Sequence, residues 1–313
     1  MADSSSGRVV EGKRHSRLVG FVIRLVREKP LGTVGLAITL ILLFIGIFAD
    51  LLAPYGVLEF HRGARLVPPS AQFWMGTDQL ARDVFSRVIF GARISVIVGL
   101  AATALSIVTS VAIGGPSGYF GGKFDMIVQR FVDGVMCLPS LVVLILIISM
   151  VGGGMLSIII VIGLLWGITG SRVIRGAAIA IRENVYIEAA RAIGCPTTRI
   201  LTQHILPNIM AVVIVEFSLR VAGIILTEAS LSFLGFGIPP PAPSWGGMLY
   251  WREYMHQAPW MLIWPGLALS IVVYGVNMFG DAVRDLLDPR LRGGIGRYGV
   301  RAKKEAKEER KGG

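Results

Sequence analysis

Long apolar runs, separated by polar segments rich in arginine and lysine, dominate the pattern of the chain. A bilayer hydrocarbon core of about 30 Å needs roughly 20 apolar residues in one spanning helix. Runs of about that length or longer occupy residues 31–52, 94–122, 134–171, 209–234 and 258–280. The third run is long enough for two helices and is interrupted by glycines at 152–154. The pattern therefore predicts six membrane-spanning helices.

The composition also indicates a membrane protein. Hydrophobic residues make up 53% of the 313 residues and charged residues 16%, and the mean hydropathy is +0.66. These values are too apolar for an ordinary soluble domain of this length. We therefore predict an all-α integral membrane protein with a single membrane domain at residues 31–283.

Lysine and arginine are distributed unevenly around the predicted spans. Residues 1–30 hold seven of them, residues 172–208 hold five, and the basic tail 284–313 holds ten. The opposite side carries fewer, namely Arg62, Arg65, Arg82, Arg87 and Arg252. Because cytoplasmic loops carry the excess of lysine and arginine, both termini and the loop 172–208 are predicted to be cytoplasmic. The loop 53–90 is then extracytoplasmic.

Residues 16–29 have helical periodicity ahead of the first span. Leu18, Phe21, Val22 and Leu25 fall at positions i, i+3, i+4 and i+7. The pattern predicts a helix lying in the membrane interface, and a short solvated cytoplasmic helix is the alternative. The net charge of +11 is concentrated in tails and loops, so we expect the basic residues to contact membrane lipid and not nucleic acid.

A short helix is predicted within the cytoplasmic loop 172–208. Good helix formers extend from Arg182 to Ile193, and Gly194 and Pro196 follow as a stop signal. Gly194 permits a left-handed turn that sends the chain back towards the bilayer.

The composition of this helix suits a docking surface. Its small residues, Ala189, Ala190 and Ala192, allow a partner protein to approach closely. Glu188 and Arg191 can form charge-assisted bonds at the rim of such a contact. An ordinary amphipathic connector is the alternative that the helix alone allows.

The extracytoplasmic loop 53–90 ends in a predicted helix start at Gly76-Thr77-Asp78. Thr77 or Asp78 is expected to accept hydrogen bonds from the first turn, and Asp83 suits the positive end of the helix dipole.

Three charged residues lie within the fifth apolar run. Glu216 and Arg220 are four residues apart on one helix face, in the orientation that favours pairing. Charges at membrane depth are costly and usually face a cavity or the protein interior. The pair either lines the solute path or gate, or packs against a neighbouring helix or subunit. Glu228, nearer the outer end, has either a packing role or a role at the outer gate.

No signature of catalysis or nucleotide binding occurs in the sequence. The nearest approach to a P-loop, at residues 118–124, is one residue short and has Phe124 where a hydroxyl must bind magnesium. The histidines lack ligand spacing: His15, His61, His204 and His256. Motifs of intramembrane hydrolases, such as H-E-x-x-H and G-x-S-x-G, do not occur. We therefore expect this chain to have no catalytic residue, no bound cofactor and no metal site.

A resemblance to the EAA loop of ABC-type import permeases lies in Glu188-Ala189-Ala190-Arg191-Ala192-Ile193-Gly194 and in Ile205-Leu206-Pro207-Asn208. In that family a short cytoplasmic helix sits in a cleft of the ATP-hydrolysing subunit and passes its motion to the membrane helices. The resemblance implies that Pro207 opens the fifth span. It assigns coupling to the ATPase to Glu188, Ala189, Ala190, Arg191, Gly194 and Pro207.

The chain also resembles the C-type subunit of dipeptide and oligopeptide permeases, through segments that occur in the same order. These segments are 76–87, Gly91-Ala92-Arg93-Ile94-Ser95, 118–125, Asp133 with Pro139, 231–237 and Asp288-Pro289-Arg290-Leu291-Arg292. Ala81 departs from the pattern, because the family usually has glycine there. The ordered set spans nearly the whole chain after the N-terminal tail.

This resemblance implies a type I ABC importer permease in the cytoplasmic (inner) membrane, with an N-terminal interfacial helix and a cytoplasmic coupling helix. The implied partners are a homologous second permease, two ATP-binding subunits that use ATP and Mg, and an extracytoplasmic solute-binding protein. The residues expected to face that binding protein are Gly76, Thr77, Asp78, Arg82 and Asp83. Dipeptides or oligopeptides are the expected cargo, moved by alternating access. Nickel chelates, glutathione or oligosaccharides are alternative cargo, and an autonomous secondary carrier or channel is a further alternative.

Overall fold

The computed structural model describes residues 17–287, and its regular elements there are all helices. Their bounds are α1 Arg17–Glu28, α2 Pro30–Ile47, α3 Ala49–Leu52, α4 Val84–Phe120, α5 Gly122–Met136, α6 Ser140–Val151, α7 Met155–Arg182, α8 Val185–Ala192, α9 Thr197–Arg199, a π-helix at Ile200–Ile205, α10 Leu206–Phe233, α11 Trp245–Leu249, a 3₁₀ turn at Arg252–Tyr254 and α12 Trp260–Leu287. The predicted all-α class is confirmed.

Five helical segments in the described part of the chain are long and apolar enough to cross a membrane. They are Pro30–Ile47, Val84–Phe120, Met155–Arg182, Thr197–Phe233 and Trp260–Leu287. The pair α5 and α6 adds a sixth span if the two bent helices are counted together. The six predicted spans thus correspond to five helices and one broken pair.

The broken pair differs from the helix that the sequence predicts. The predicted interruption at 152–154 is present, because α6 ends at Val151 and α7 begins at Met155. However, α6 has only 12 residues, and α5 meets it at an angle of 86°. Pro139 stands at the junction, and proline disfavours helical geometry in the residue before it and supplies no N–H.

Several helices extend further than the apolar runs. The second span begins at Val84 and not at residue 94, α7 continues to Arg182, and α12 continues to Leu287. The reason is that hydropathy marks the part of a helix in the hydrocarbon, whereas the hydrogen-bonded helix continues beyond it. The predictions for residues 1–16 and 288–313, including the basic tail beyond α12, lie outside the described residues.

Glycines allow α4 and α7 to pack with their backbones close together. A Cβ atom added at Gly118 would lie 2.6 Å from the carbonyl oxygen of Arg175, and one at Gly114 would overlap the carbonyl oxygen of Ser171. On α7, a Cβ at Gly163 would lie 2.8 Å from the Leu105 side chain. Small residues at such positions are typical of tightly packed helices in membranes.

The helix α1 packs on the end of α12. Leu25 is fully buried in a cluster with Ala282 and Leu286, and Phe21 packs against that cluster. Val22, which the periodicity places on the same face, is exposed. The prediction for Leu18 lies outside the described side chains, and the interfacial position of α1 stays a prediction.

Candidate coupling site and outer cavity

The short cytoplasmic helix is present as α8, with later bounds than predicted. It begins at Val185 and not at Arg182, because α7 continues to Arg182 and a tight turn follows. The side-chain amide of Asn184 stabilises this turn by donating to the carbonyl oxygen of Ile181 at 2.9 Å. The carbonyl groups at the end of α7 have no partners within the helix, and Asn184 satisfies one of them.

One face of α8 is anchored in the protein itself. Ile187 and Ala190 are buried in an apolar cluster with Tyr119 of α4, Ile174 of α7 and Ile205 of the π-helix. The sequence analysis placed Ala190 against a partner protein, and this orientation is wrong. Its side chain packs inward because it lies three residues after Ile187, on the same helix face.

The opposite face of α8 is open and partly apolar. Val185 is 79% exposed and Ile193 is 84% exposed, and Tyr186, Glu188 and Ala189 are exposed as well. The sequence analysis missed Val185, Tyr186 and Ile193. The spacing of Val185, Ala189 and Ile193 at i, i+4 and i+8 was the signal that would have found this stripe.

Arg191 is occupied by a contact within the chain. Its guanidinium lies 4.6 Å from the ring centre of Tyr119, and its Nε donates to the Tyr119 hydroxyl at 3.3 Å. Cation–π stacking of this kind favours one orientation of the arginine. Arg191 therefore ties α8 to the end of α4, and its role at the rim of a partner contact stays a prediction.

Gly194 has the left-handed backbone that the sequence predicts, with φ of +77°. The N–H of Cys195 donates to the carbonyl oxygen of Ala190 at 3.0 Å, and the N–H of Gly194 donates to that of Arg191 at 2.9 Å. These two bonds form a Schellman motif, in which glycine supplies the positive φ at the least steric cost. The role of Gly194 in coupling stays a prediction.

Pro207 does not open the fifth helix. The chain is already helical through α9 and the π-helix, and Pro207 follows at the first turn of α10. A proline inside an α-helix would break an i→i−4 hydrogen bond. The preceding residues have π geometry, which does not use i→i−4 bonds, so the helix continues past Pro207. The fifth span therefore runs continuously from Thr197 to Phe233.

Glu216 and Arg220 form the ion pair that their spacing predicts. Arg220 Nη2 lies 2.8 Å from Glu216 Oε2, and Arg220 Nε lies 3.1 Å from the same oxygen. Arg220 is buried and also donates to Ser110 Oγ of α4 at 2.8 Å and to the carbonyl oxygen of Gly170 of α7 at 3.3 Å. The pair thus joins α10 to the two glycine-packed helices. A role in the solute path or gate stays a prediction.

Glu228 is buried two turns further along α10. Ser232 Oγ donates to Glu228 Oε1 at 2.7 Å. Ser232 also lines a cavity of about 530 Å³, so Glu228 lies behind the cavity wall.

This outer cavity lies between the connections on the predicted extracytoplasmic side. Its lining comes from the first loop and the start of α4, the end of α6 and the α6–α7 turn, and the end of α10 with the segment that follows it through α11: Leu80, Arg82, Arg87, Ile148, Ser149, Gly152, Gly153, Ser232, Gly235, Phe236, Gly237, Ile238, Pro239, Pro240, Ala242, Ser244, Gly247, Tyr250 and Trp251. The sequence analysis did not assign Arg87 to any site.

The start of α4 differs from the prediction. The helix begins at Val84, and its N-cap is Asp83, whose Oδ2 accepts a hydrogen bond from the backbone N–H of Ser86 at 2.7 Å. Thr77 instead holds the preceding loop together, because its Oγ1 donates to the carbonyl oxygen of Ala64 and accepts from the N–H of Val67 at 2.8 Å. The turn between them includes Ala81 with φ of +57°, a conformation that explains a preference for glycine at this position.

The five residues expected to face a binding protein are all buried: Gly76, Thr77, Asp78, Arg82 and Asp83. Trp260 packs on this loop and donates from Nε1 to the carbonyl oxygen of Thr77 at 3.1 Å. Any contact with a binding protein would therefore be made by the exposed residues of the loop, such as Trp74 and Leu80. The buried residues fix the shape of that surface.

Comparison with known proteins agrees with this architecture. Residues 106–293 match the family described as binding-protein-dependent transport system inner membrane component. The chain belongs to this family. Residues 20–69 of the permease match the N-terminal transmembrane domain of oligopeptide transport permease C.

Curated relatives cover most of the permease. It is 37% identical to the dipeptide transport system permease protein DppC of Alkalihalophilus pseudofirmus, over 85% of this chain and 88% of that protein. It is also 37% identical to the oligopeptide transport system permease protein OppC of Bacillus subtilis, over 85% and 88% respectively. The glutathione transport system permease protein GsiD of Pectobacterium atrosepticum is 35% identical, over 86% and 90%.

A solved structure supports the fold. A chain of the MetNI methionine ABC transporter, in an inward-facing conformation, matches with a TM-score of 0.50 at 15% identity, covering 64% of this chain and 96% of that one. The permease is therefore a multi-pass inner-membrane transport subunit of the ABC importer type. Membership of this family implies ATP-hydrolysing and solute-binding partners.

Proposed function

We propose that this permease imports dipeptides or oligopeptides by alternating access, paired with a homologous second permease. Two ATP-binding subunits hydrolyse MgATP on the cytoplasmic side, where both termini lie. An extracytoplasmic solute-binding protein delivers the cargo to the outer cavity. The chain itself carries no catalytic step.

The exposed face of α8 is the observation that carries this proposal. Val185, Ala189 and Ile193 form an exposed apolar stripe on and just after a short helix that lies outside the predicted spans. Exposed apolar patches commonly mark protein interaction sites. An ATP-binding subunit is the partner that membership of the family implies.

The contacts of α8 support a route for the motion. Ile187 anchors the helix in the apolar cluster, and Arg191 ties it to Tyr119 on α4. After the turn at Gly194, the chain is helical without a break from Thr197 into α10. A displacement of α8 by the ATP-binding subunit would therefore move the cytoplasmic ends of α4 and α10.

Peptide cargo is favoured by the relatives, which include permeases named for dipeptides and oligopeptides. Glutathione, a tripeptide, is the main alternative cargo, because one relative is named for glutathione transport. Nickel chelates and oligosaccharides are weaker alternatives from the sequence resemblance. The binding protein is expected to make most of the selection between them.

The test is affinity purification of the permease in mild detergent after expression at native levels, with mass spectrometry of the co-purifying proteins. We expect ATP-binding subunits and a second permease. An Ile193→Asp or Glu188→Arg variant should lose the ATP-binding subunits and keep the second permease. The matched control for Ile193→Asp is Met255→Asp, which places the same negative charge at an exposed apolar position on the predicted extracytoplasmic side.

Recovery of the permease alone, under conditions that preserve other membrane complexes, would contradict the proposal. Transport by the purified chain in vesicles without ATP would then identify an autonomous carrier or channel. Uptake of radiolabelled peptides by cells, compared with a deletion strain, tests the cargo separately.

A further inference from the structure

The carboxylate of Asp78 is hydrogen-bonded to Arg82 and to the backbone of the loop. Its Oδ1 accepts from the backbone N–H groups of Leu80 at 2.8 Å and Arg82 at 2.9 Å. Its Oδ2 accepts from Arg82 Nε at 2.7 Å. Three of the roughly four acceptor positions of this carboxylate are therefore occupied, and one position on Oδ2 remains for a second arginine.

Arg87 is that second arginine, and it forms an ion pair with Asp78 without a hydrogen bond to it. Its Nε lies 3.6 Å from Asp78 Oδ2, which is too long for a hydrogen bond. Its side chain is only 9% exposed, and its Nη1 is buried with no hydrogen-bond partner among residues 17–287. Asp78 thus offsets the charge of Arg87 at a distance, but Nη1 keeps unsatisfied N–H donors, and leaving buried donors unsatisfied is costly, so this guanidinium is suited to an anion that would accept from it.

The two arginines lie at the wall of the outer cavity. The two guanidinium groups share the single carboxylate of Asp78, so the charge at this part of the wall is positive. The other walls contribute small or uncharged residues, including Ser149, Gly237 and Ser244. Among residues 17–287, no aspartate or glutamate lines the cavity, and Glu228 lies behind its wall, where its carboxylate accepts from Ser232.

The buried side-chain amide of Gln79 adds polar groups beside the two arginines. Gln79 lies beside Asp78 and Arg87 at a small adjoining gap, and neither its Oε1 nor its Nε2 has a partner in the described part of the chain. Its amide N–H is a second donor near the guanidinium.

We propose that Arg87, supported by Arg82, binds a carboxylate of the cargo as it enters the permease from the binding protein. This inference rests on the proposed peptide cargo. Arginine is suited to the task because its planar N–H groups match the geometry of a carboxylate. The site selects cargo with a free C-terminal carboxylate in the permease itself, after selection by the binding protein.

The test uses the complete transporter in proteoliposomes with ATP inside and saturating loaded binding protein outside. Uptake of dialanine is compared with uptake of its C-terminal amide, after calorimetry has fixed the concentrations that saturate the binding protein with each. We expect the wild type to transport dialanine at least about tenfold faster than the amide, as a lost hydrogen bond to a charged group implies.

Arg87→Gln should lower dialanine uptake to about the rate of the amide and leave amide uptake unchanged. Arg87→Lys, which keeps the charge, should restore part of the preference. The matched control is Arg93→Gln on the same helix, because Arg93 pairs with Asp50 and does not line the cavity. This control should keep the wild-type preference.

Three results would overturn the carboxylate site. Equal loss of both peptides in Arg87→Gln would give Arg87 a purely structural role, and an unchanged preference would remove it from recognition. If the Arg87→Gln transporter bound the solute-binding protein itself more weakly, with either peptide, recognition of the carboxylate would be assigned to that protein and not to Arg87. A wild type that transports neither peptide would instead contradict the proposed peptide cargo.

Discussion

Gly170 on α7 leaves the space that the guanidinium of Arg220 on α10 occupies, and a Cβ atom at residue 170 would overlap Arg220 Nη1, Nη2 and Cζ. Arg220 cannot simply swing away, because Glu216 and Ser110 hold it by hydrogen bonds. The glycine and the ion pair therefore belong to one packed unit.

We expect Gly170→Ala to destabilise the permease by about 1–3 kcal/mol, the usual cost of overpacking a filled interior. Thermal unfolding in detergent would measure this loss. The control is Gly176→Ala, six residues further along the same helix, where a Cβ would meet no atom within 4 Å. Equal stability of the two variants would contradict the packed unit.

The ion pair itself is tested by charge reversal. Glu216→Arg or Arg220→Glu alone should abolish uptake, because each leaves a charge in the interior without its partner, at a cost of about 3 kcal/mol or more. The double reversal should restore the attraction and part of the uptake. Recovery will be incomplete, since a carboxylate at residue 220 would face the carbonyl oxygen of Gly170. Normal uptake in either single variant would remove the functional role of the pair.

The turn after α8 is sensitive to any side chain. Gly194→Val should abolish uptake and leave membrane insertion intact, because a left-handed backbone costs a residue with a Cβ about 1–2 kcal/mol, and more when that residue is β-branched. Uptake and the amount of inserted protein are measured together. Gly134→Val is the control, since Gly134 has equally open surroundings and no positive φ. Normal transport by the Gly194 variant would count against coupling through α8.

A pH titration tests the contact between α3 and α4. Arg93 Nη2 donates to Asp50 Oδ2 at 2.7 Å, and this bond lowers the pKa of the exposed Asp50 carboxyl below its ordinary value of 3.8. Because the folded pKa is lowered, the contact is at full strength above pH 3.8 and weakens as the pH falls through the lowered pKa.

We expect ¹³C NMR of the Asp50 carboxyl, assigned by comparison with Asp50→Asn, to show this lowered midpoint. Arg93→Gln should raise it towards the ordinary value. Arg252→Gln should have no effect, since Arg252 lies over the Phe233 ring and has no contact with Asp50. The same midpoint in the wild type and in Arg93→Gln would exclude the bond.

Features that depend on neighbouring residues could be predicted from the sequence. The left-handed turn at Gly194, the pairing of Glu216 with Arg220 and the break at 152–154 each follow from spacing or residue type within one segment. The exposed stripe of Val185, Ala189 and Ile193 belongs to the same class, since its periodicity was readable.

Features that depend on distant residues could not be predicted. The partner of Arg191 is Tyr119, which is 72 residues away along the chain. Arg87 looks like an ordinary charged residue of a loop, and its burial beside Asp78 follows only from the way the first loop folds back on α4. The sequence marks such residues as polar but carries no local signal of which side they face.

The close backbone contact between α4 and α7 limits where the permease can open. Sliding or tilting one of these helices against the other would drive Gly114 and Gly118 into carbonyl oxygens, with no side chain between them to adapt. The two helices are therefore expected to move together as one rigid pair. In the proposed alternating access, the motion would take place at the surfaces where α2, α6, α10 and α12 pack against this pair.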